Sequence, residues 1–129
     1  MGLNNTENKQ ASRVALYCRI ASGSPIDADS IYLQRDALRT FAESQGLIVQ
    51  KEYLDCGYSG LSLDRPMFTQ MEADIDAGII DTIVVRGIDR IARSYQLVSE
   101  WLVSLQARGV KLIASDDSHG SLMLLPESN

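Results

Sequence analysis

The stretch Val84-Val85-Arg86-Gly87-Ile88-Asp89-Arg90-Ile91-Ala92-Arg93-Ser94 decides how the chain is read, because an apolar β-type run changes within it into a charged helical start. Ile80 to Val85 is rich in β-branched residues, as a strand buried on both faces should be, and Gly87 breaks the run before a 3.6-residue period takes over. That order predicts a strand, a short loop and a helix start. Arg90 and Arg93 stand three apart, which on a helix puts them on one face, near an end whose free N–H groups and dipole favour anions. Two guanidiniums there point to a phosphate site. Taken alone, the same residues also read as solvated helix charges, with Asp89 an N-cap.

The alternation recurs on both sides of this junction. Val14 to Cys18 reads as a first buried strand, and Arg19 at its end projects a cation toward the loop Ala21 to Asp29. Asp29 or Ser30 is placed to cap a helix carrying Ile31, Leu38, Phe41 and Ala42, which Gly46 stops. Leu47 to Asp55 makes a second strand and runs into the glycine and serine loop Cys56 to Ser62. Pro66 suits the first turn of a second helix, with Met67, Phe68, Met71 and Ile75 on its apolar side and Gly78 at its end. After the central junction, Leu97, Val98, Trp101, Leu102 and Leu105 form the stripe of a third helix that ends before Gly109. Val110 to Ala114 is a fourth strand, and Ser115 to Gly120 is turn-like.

Such alternation predicts an α/β three-layer sandwich, a mostly parallel sheet of four to five strands with helices on both faces. Residues 1–12 are polar and aperiodic and are expected to be a disordered leader, 13–120 the folded domain, and 121–129 a short tail containing the apolar run Leu122 to Leu125, a hint of a partner surface.

Composition narrows the function. With 129 residues and 45% hydrophobic content, one domain with a real core is expected. No apolar run approaches the ~20 residues of a membrane span and no signal-peptide centre is present, so a cytoplasmic location without membrane contact is expected. Cys18, Cys56 and His119 are too few for a disulfide framework or a zinc site, and no metal is expected. A formal charge of −5 disfavours generic coating of nucleic acid, so any DNA contact must come from local arginines.

In parallel sheets, ligands gather at the carboxyl ends of the strands. Arg19 with Ser22, the Ser59 loop leading to Arg65, and Asp89 with Arg90 and Arg93 all follow such ends. Planar guanidiniums match phosphate oxygens, and a serine hydroxyl among them is placed to attack phosphorus while the cations stabilise the charge that develops. Asp89 would hold an arginine or move a proton.

These residues resemble the N-terminal catalytic domain of the resolvase/invertase serine recombinases. The carriers are Tyr17-Cys18-Arg19-Ile20, Gln34, Asp55 followed by Tyr58-Ser59-Gly60, Asp64-Arg65-Pro66 and Ile88-Asp89-Arg90-Ile91-Ala92-Arg93, in this order over about Arg13 to Asp117. The resemblance implies a resolvase-like fold, cleavage and rejoining of DNA through a phosphoserine linkage, no cofactor, and work within a dimer or tetramer. By resemblance, Arg19, Arg65, Arg90 and Arg93 bind and polarise the scissile phosphate, Asp89 supports them, and Ser59 and Gln34 lie at the DNA. Ser59 also reads as a turn residue, and Gln34 as helix surface.

One position departs from the pattern. The family's Tyr-x-Arg-Val-Ser-Thr places its nucleophile where this chain has Ala21, with Ser22 one step later. Either Ser22 serves as the nucleophile, or the chain is a catalytically silent module that binds phosphate or DNA or pairs with a full-length recombinase. The family's dimerisation helix and DNA-binding domain are not expected within these residues. Two other classes fail on the sequence. A cysteine phosphatase needs Cys-x5-Arg, but Ser24 and Ser62 occupy the arginine positions, and a receiver domain needs acids after the first strand, where Arg19 stands.

Overall fold

The computed structural model describes residues 12–20, 25–57 and 62–116, with side chains in the first helix described from Ser30 onward. The elements in chain order are β1 (Val14–Ile20), α1 (Pro25–Ser44), β2 (Val49–Cys56), α2 (Pro66–Asp76), β3 (Thr82–Val85), a 3-10 turn (Ile88–Arg90), α3 (Tyr95–Ala107) and β4 (Lys111–Ala114). All strand pairings are parallel, in the order β2-β1-β3-β4. The expected α/β sandwich with a parallel sheet is therefore present, with four strands in the described residues.

Alternation along the central strands separates two cores. Ala15, Tyr17, Ile83 and Val85 face α2 and α3, where they pack with Phe68, Met71, Trp101 and Leu105. Val14, Leu16, Cys18 and Val84 face α1 and meet Ile31, Leu38 and Ala42. The strand order reverses between β1 and β3: the chain leaves β1 toward β2 on one side and reaches β3 and β4 on the other. That switch point opens a crevice at the carboxyl ends of the two central strands.

The helix ends explain themselves locally. Gly46 follows α1 at φ +79°, where the Leu47 N–H returns to the Ala42 carbonyl at 3.0 Å. A Cβ would strain that backbone. At the other end, α1 starts at Pro25, earlier than the expected cap at Asp29 or Ser30. Proline's fixed φ and missing N–H suit the first turn, so the start signal was Pro25 itself.

The junction that opened the reading differs more. It does not run directly into a helix. After the 3-10 turn, Ile91 to Arg93 are irregular, and α3 begins only at Tyr95, with the Ser94 side chain accepting from the Leu97 N–H. Ser94 is the stronger start signal because its hydroxyl satisfies a free N–H that Asp89 does not reach. Arg90 and Arg93 thus do not share a helix face, and Asp89 is not an α-helix N-cap.

The leader up to Ala11, Ala21 to Ser24, Tyr58 to Leu61 and residues 117–129, with His119 and Leu122 to Leu125, lie outside the described residues. Among the described residues, no helix is long and apolar enough to cross a membrane.

Candidate functional site

Arg19 and Arg65 approach the turn after β3 from the α2/α3 side of the sheet. Both are almost wholly buried, at 2% and 1% exposure. Arg19, on the last turn of alternation in β1, donates from Nη2 to the Asp89 carbonyl at 2.7 Å and from Nε to the Arg90 carbonyl at 3.0 Å. Arg65, the residue that precedes α2, donates from Nη1 to the Arg90 carbonyl at 3.5 Å and from Nη2 to the Ile91 carbonyl. Two guanidiniums therefore hold three successive carbonyls of one turn. Such an arrangement adds to the few backbone hydrogen bonds of the 3-10 turn, since a fork of donors suits several acceptors at once.

The turn carries Arg90 into a cleft of about 450 Å³ on the α1 side, lined also by Ile20, Ser30, Gln34, Arg86 and Asp116. Each of Ile20, Arg86 and Asp116 follows or ends a strand, so the cleft lies at the switch point. Three buried polar atoms around it and beside it lack a hydrogen-bond partner among the described residues: Arg90 Nε, Gln34 Oε1 and Arg65 Nε. An unpaired buried polar atom is costly, and atoms of this kind are satisfied by a bound water or by a ligand. The neighbouring carboxylates are modest partners. Asp89 meets Arg90 Nη1 at 3.2 Å and Asp116 meets Arg86 Nε at 3.2 Å, and both acids are solvent-exposed.

The electrostatics favour an anion. Burial, and then the neighbouring Arg65 charge, lower the pKa of Arg19, with Arg90 and Arg93 adding to the effect. Four cations thus act on one another around the turn. Arg93, though within that field, is exposed and lines a different groove with Ile88, Ala92, Tyr95, Val98 and Leu102, about 610 Å³ in volume and mostly apolar. Of the expected residues, the fold brings Arg19, Arg65, Asp89 and Arg90 to one turn and Gln34 to the adjoining cleft, while Arg93 lines the neighbouring groove together with Asp89. Ser22 and Ser59 lie outside the described residues.

Three contributors are not among the site residues that the sequence points to. Arg86 lines the cleft, and its place directly after β3 is the signal that could have found it. Tyr17 and Asp55 lie behind the arginines: the Tyr17 hydroxyl donates to Asp55 Oδ2 at 2.8 Å and accepts from Arg65 Nη1 at 3.1 Å. Burial raises the Tyr17 pKa, so this hydroxyl keeps its proton. Cys18 is a bystander, its thiol pushed up to about 12 by burial.

Comparisons with known proteins agree with this geometry. The family model "Resolvase, N terminal domain" matches residues 14–124. The N-terminal catalytic domain of TP901-1 integrase is similar at 29% identity and a TM-score of 0.77, over 87% of this chain and 88% of that one. A resolvase family site-specific recombinase from Streptococcus pneumoniae is similar at 30% identity and a TM-score of 0.72, over 88% and 80% of the two chains. The C-terminal catalytic domain of ISC1926 TnpA, an IS607-like serine recombinase, shares the fold with a TM-score of 0.73 at 20% identity, over 82% of this chain and 72% of that one. No curated protein matches. With the parallel sheet, the arginine-held turn and a family match over most of its length, the chain belongs to the resolvase N-terminal domain family and is a catalytic domain of the serine recombinase type.

Proposed function

We propose that this domain cleaves and rejoins DNA by serine chemistry, with the scissile phosphodiester seated against the turn Asp89-Arg90-Ile91. The observation that carries the reading is the pair of buried, unpartnered guanidinium nitrogens, Arg65 Nε and Arg90 Nε, at the switch point of a parallel sheet. In the reaction the Ser22 oxygen attacks phosphorus, a P–O bond to one deoxyribose breaks, and the departing sugar hydroxyl takes a proton. One phosphate diester is exchanged for another, so rejoining is the same step in reverse and needs no external energy. Arg19, Arg65 and Arg90 stabilise the charge on the phosphoryl oxygens, Asp89 steadies Arg90, and Arg93, Gln34 and Ser59 contact the DNA around it. The domain works as a dimer or tetramer, or beside a full-length recombinase that reads the bases.

Ala21 supports a second reading, in which the same arginines bind the backbone without cutting it. A DNA duplex carrying a nick beside the scissile phosphate separates the two. A covalent protein–DNA adduct on a denaturing gel, lost in Ser22→Ala and regained in Ser22→Ala with Ala21→Ser, is expected for the active enzyme. DNA binding weakened by Arg90→Ala, with no adduct in either serine background, would identify the silent module.

A further inference from the structure

Behind the arginines, one phenol is held on both sides. Tyr17 is fully buried on β1 and packs edge-on against Phe68, with ring centroids 5.5 Å apart. Its hydroxyl bridges Asp55 Oδ2 and Arg65 Nη1. Asp55, 1% exposed, is held in turn by the first turn of α2, accepting from the Met67 N–H at 3.0 Å and the Phe68 N–H at 2.9 Å. A line of hydrogen bonds therefore runs from the α2 N-terminus through Asp55, Tyr17 and Arg65 to the carbonyls of Arg90 and Ile91.

The chemistry of that line sets up a competition. A buried carboxylate and a buried guanidinium attract one another strongly, and a direct bidentate pair is their favoured geometry. Here they do not pair directly; the neutral hydroxyl stands between them, satisfying the acid as a donor and the arginine as an acceptor. Without the oxygen, Asp55 would draw the Arg65 fork onto itself and away from the turn.

We propose that Tyr17 is a positioning residue: its hydroxyl keeps Asp55 from capturing Arg65, and so presents Arg65 to the turn that carries Arg90. The proposal rests on the phosphate-binding role given to these arginines above for its effect on DNA, but not for its effect on the turn. Asp55 has a double part in it, capping α2 and supplying the charge that the hydroxyl shields.

The test compares Tyr17→Phe, Asp55→Asn and the double variant in two readouts. Amide hydrogen exchange at Arg90, Ile91 and Ala92 reports on the turn without DNA, and fluorescence anisotropy with a short labelled duplex reports on affinity. Tyr17→Phe should speed exchange at these three amides and weaken DNA binding roughly tenfold or more, the size of one lost charge-assisted hydrogen bond. Adding Asp55→Asn removes the capturing charge and keeps one of the two capping acceptors, the amide oxygen, and should restore both readouts to within about twofold of Asp55→Asn alone. A merely structural tyrosine predicts the opposite, a double variant worse than either single one. That result, or unchanged exchange in Tyr17→Phe, overturns the proposal. Rescue of exchange in a protein that binds no DNA would uphold the positioning role while removing the function proposed above. Should Tyr17→Phe fail to fold alone, the double variant is compared with Asp55→Asn: exchange and affinity within about twofold of Asp55→Asn uphold the proposal, and any larger loss overturns it.

Discussion

The carbonyl oxygen of Arg90 accepts from Arg19 Nε at 3.0 Å, so a residue at the end of the first strand holds the backbone of a residue that follows the third. Lysine at position 19 would keep the charge but lose the fork that reaches the Asp89 and Arg90 carbonyls together. Arg19→Lys should cost about 1.5–3 kcal/mol of folding stability, measured by urea unfolding with Trp101 fluorescence. A loss below about 0.5 kcal/mol would mean that the turn keeps its shape unaided.

Asp55 carries both the α2 cap and the Tyr17 hydroxyl. Asp55→Ala removes the cap, worth about 1 kcal/mol, and leaves the buried Tyr17 O–H without its acceptor, worth about 1–3 kcal/mol. The expected loss is roughly 2–4 kcal/mol in chemical denaturation, against about 1–3 kcal/mol for Asp55→Asn, whose amide nitrogen replaces one accepting oxygen.

Gly87 is a different kind of position. Its backbone is extended at φ −161°, open to any residue, but a Cβ there would lie 2.9 Å from Asp89 Oδ1. The Asp89 side chain is exposed and free to rotate. Gly87→Ala should therefore change stability by no more than about 0.5 kcal/mol while moving the carboxylate off Arg90. An exposed ion pair is worth ~0.2–1 kcal/mol, and Asp89 steadies Arg90 through one, so affinity for inorganic phosphate should fall by a factor of up to about five, read by isothermal titration. Stronger phosphate binding would show that Asp89 competes with the ligand rather than orienting Arg90.

How far the sequence carried the reading depended on the range over which each signal acts. Strand and helix types, and the glycine ends of the helices, are written in local pattern, and Gly46 stops α1 as its position suggests. The path after β3 was not legible in that way. The period from Ile88 onward fits a helix, yet the hydroxyl of Ser94 wins the N-cap, and the preceding turn is shaped by Arg19 and Arg65 from 70 and 25 residues away. Likewise Arg90 and Arg93 share a spacing but not a cleft, and although Tyr17 stands in a motif of the resemblance, the alternation of Val14 to Cys18 does not show that its hydroxyl bridges Asp55 and Arg65.

Acid should act where α1 meets β2. Burial alone would raise the pKa of Glu52, but hydrogen bonds from Arg39 and Arg35 hold it below the usual carboxylate range. A lowered folded-state pKa contributes stability that is present above the unfolded value, about 4.3, and is lost as pH falls through the folded one. Glu52→Gln should thus lower the melting temperature at pH 7, and the gap from the parent should close as pH falls from about 4 downward. A gap that stays constant across that window would assign the effect to packing.

The clasp around Asp89, Arg90 and Ile91 draws on residues near 17, 55, 65 and 90, and β1 is flanked by two strands that both come later in the chain, β2 and β3. Few of its contacts are local, so no early segment of the nascent chain contains a finished site. Completion of the fold is therefore the licence for the arginines to meet a phosphate, and a chain still emerging from synthesis, or one that has partly come apart, has no assembled clasp with which to engage DNA.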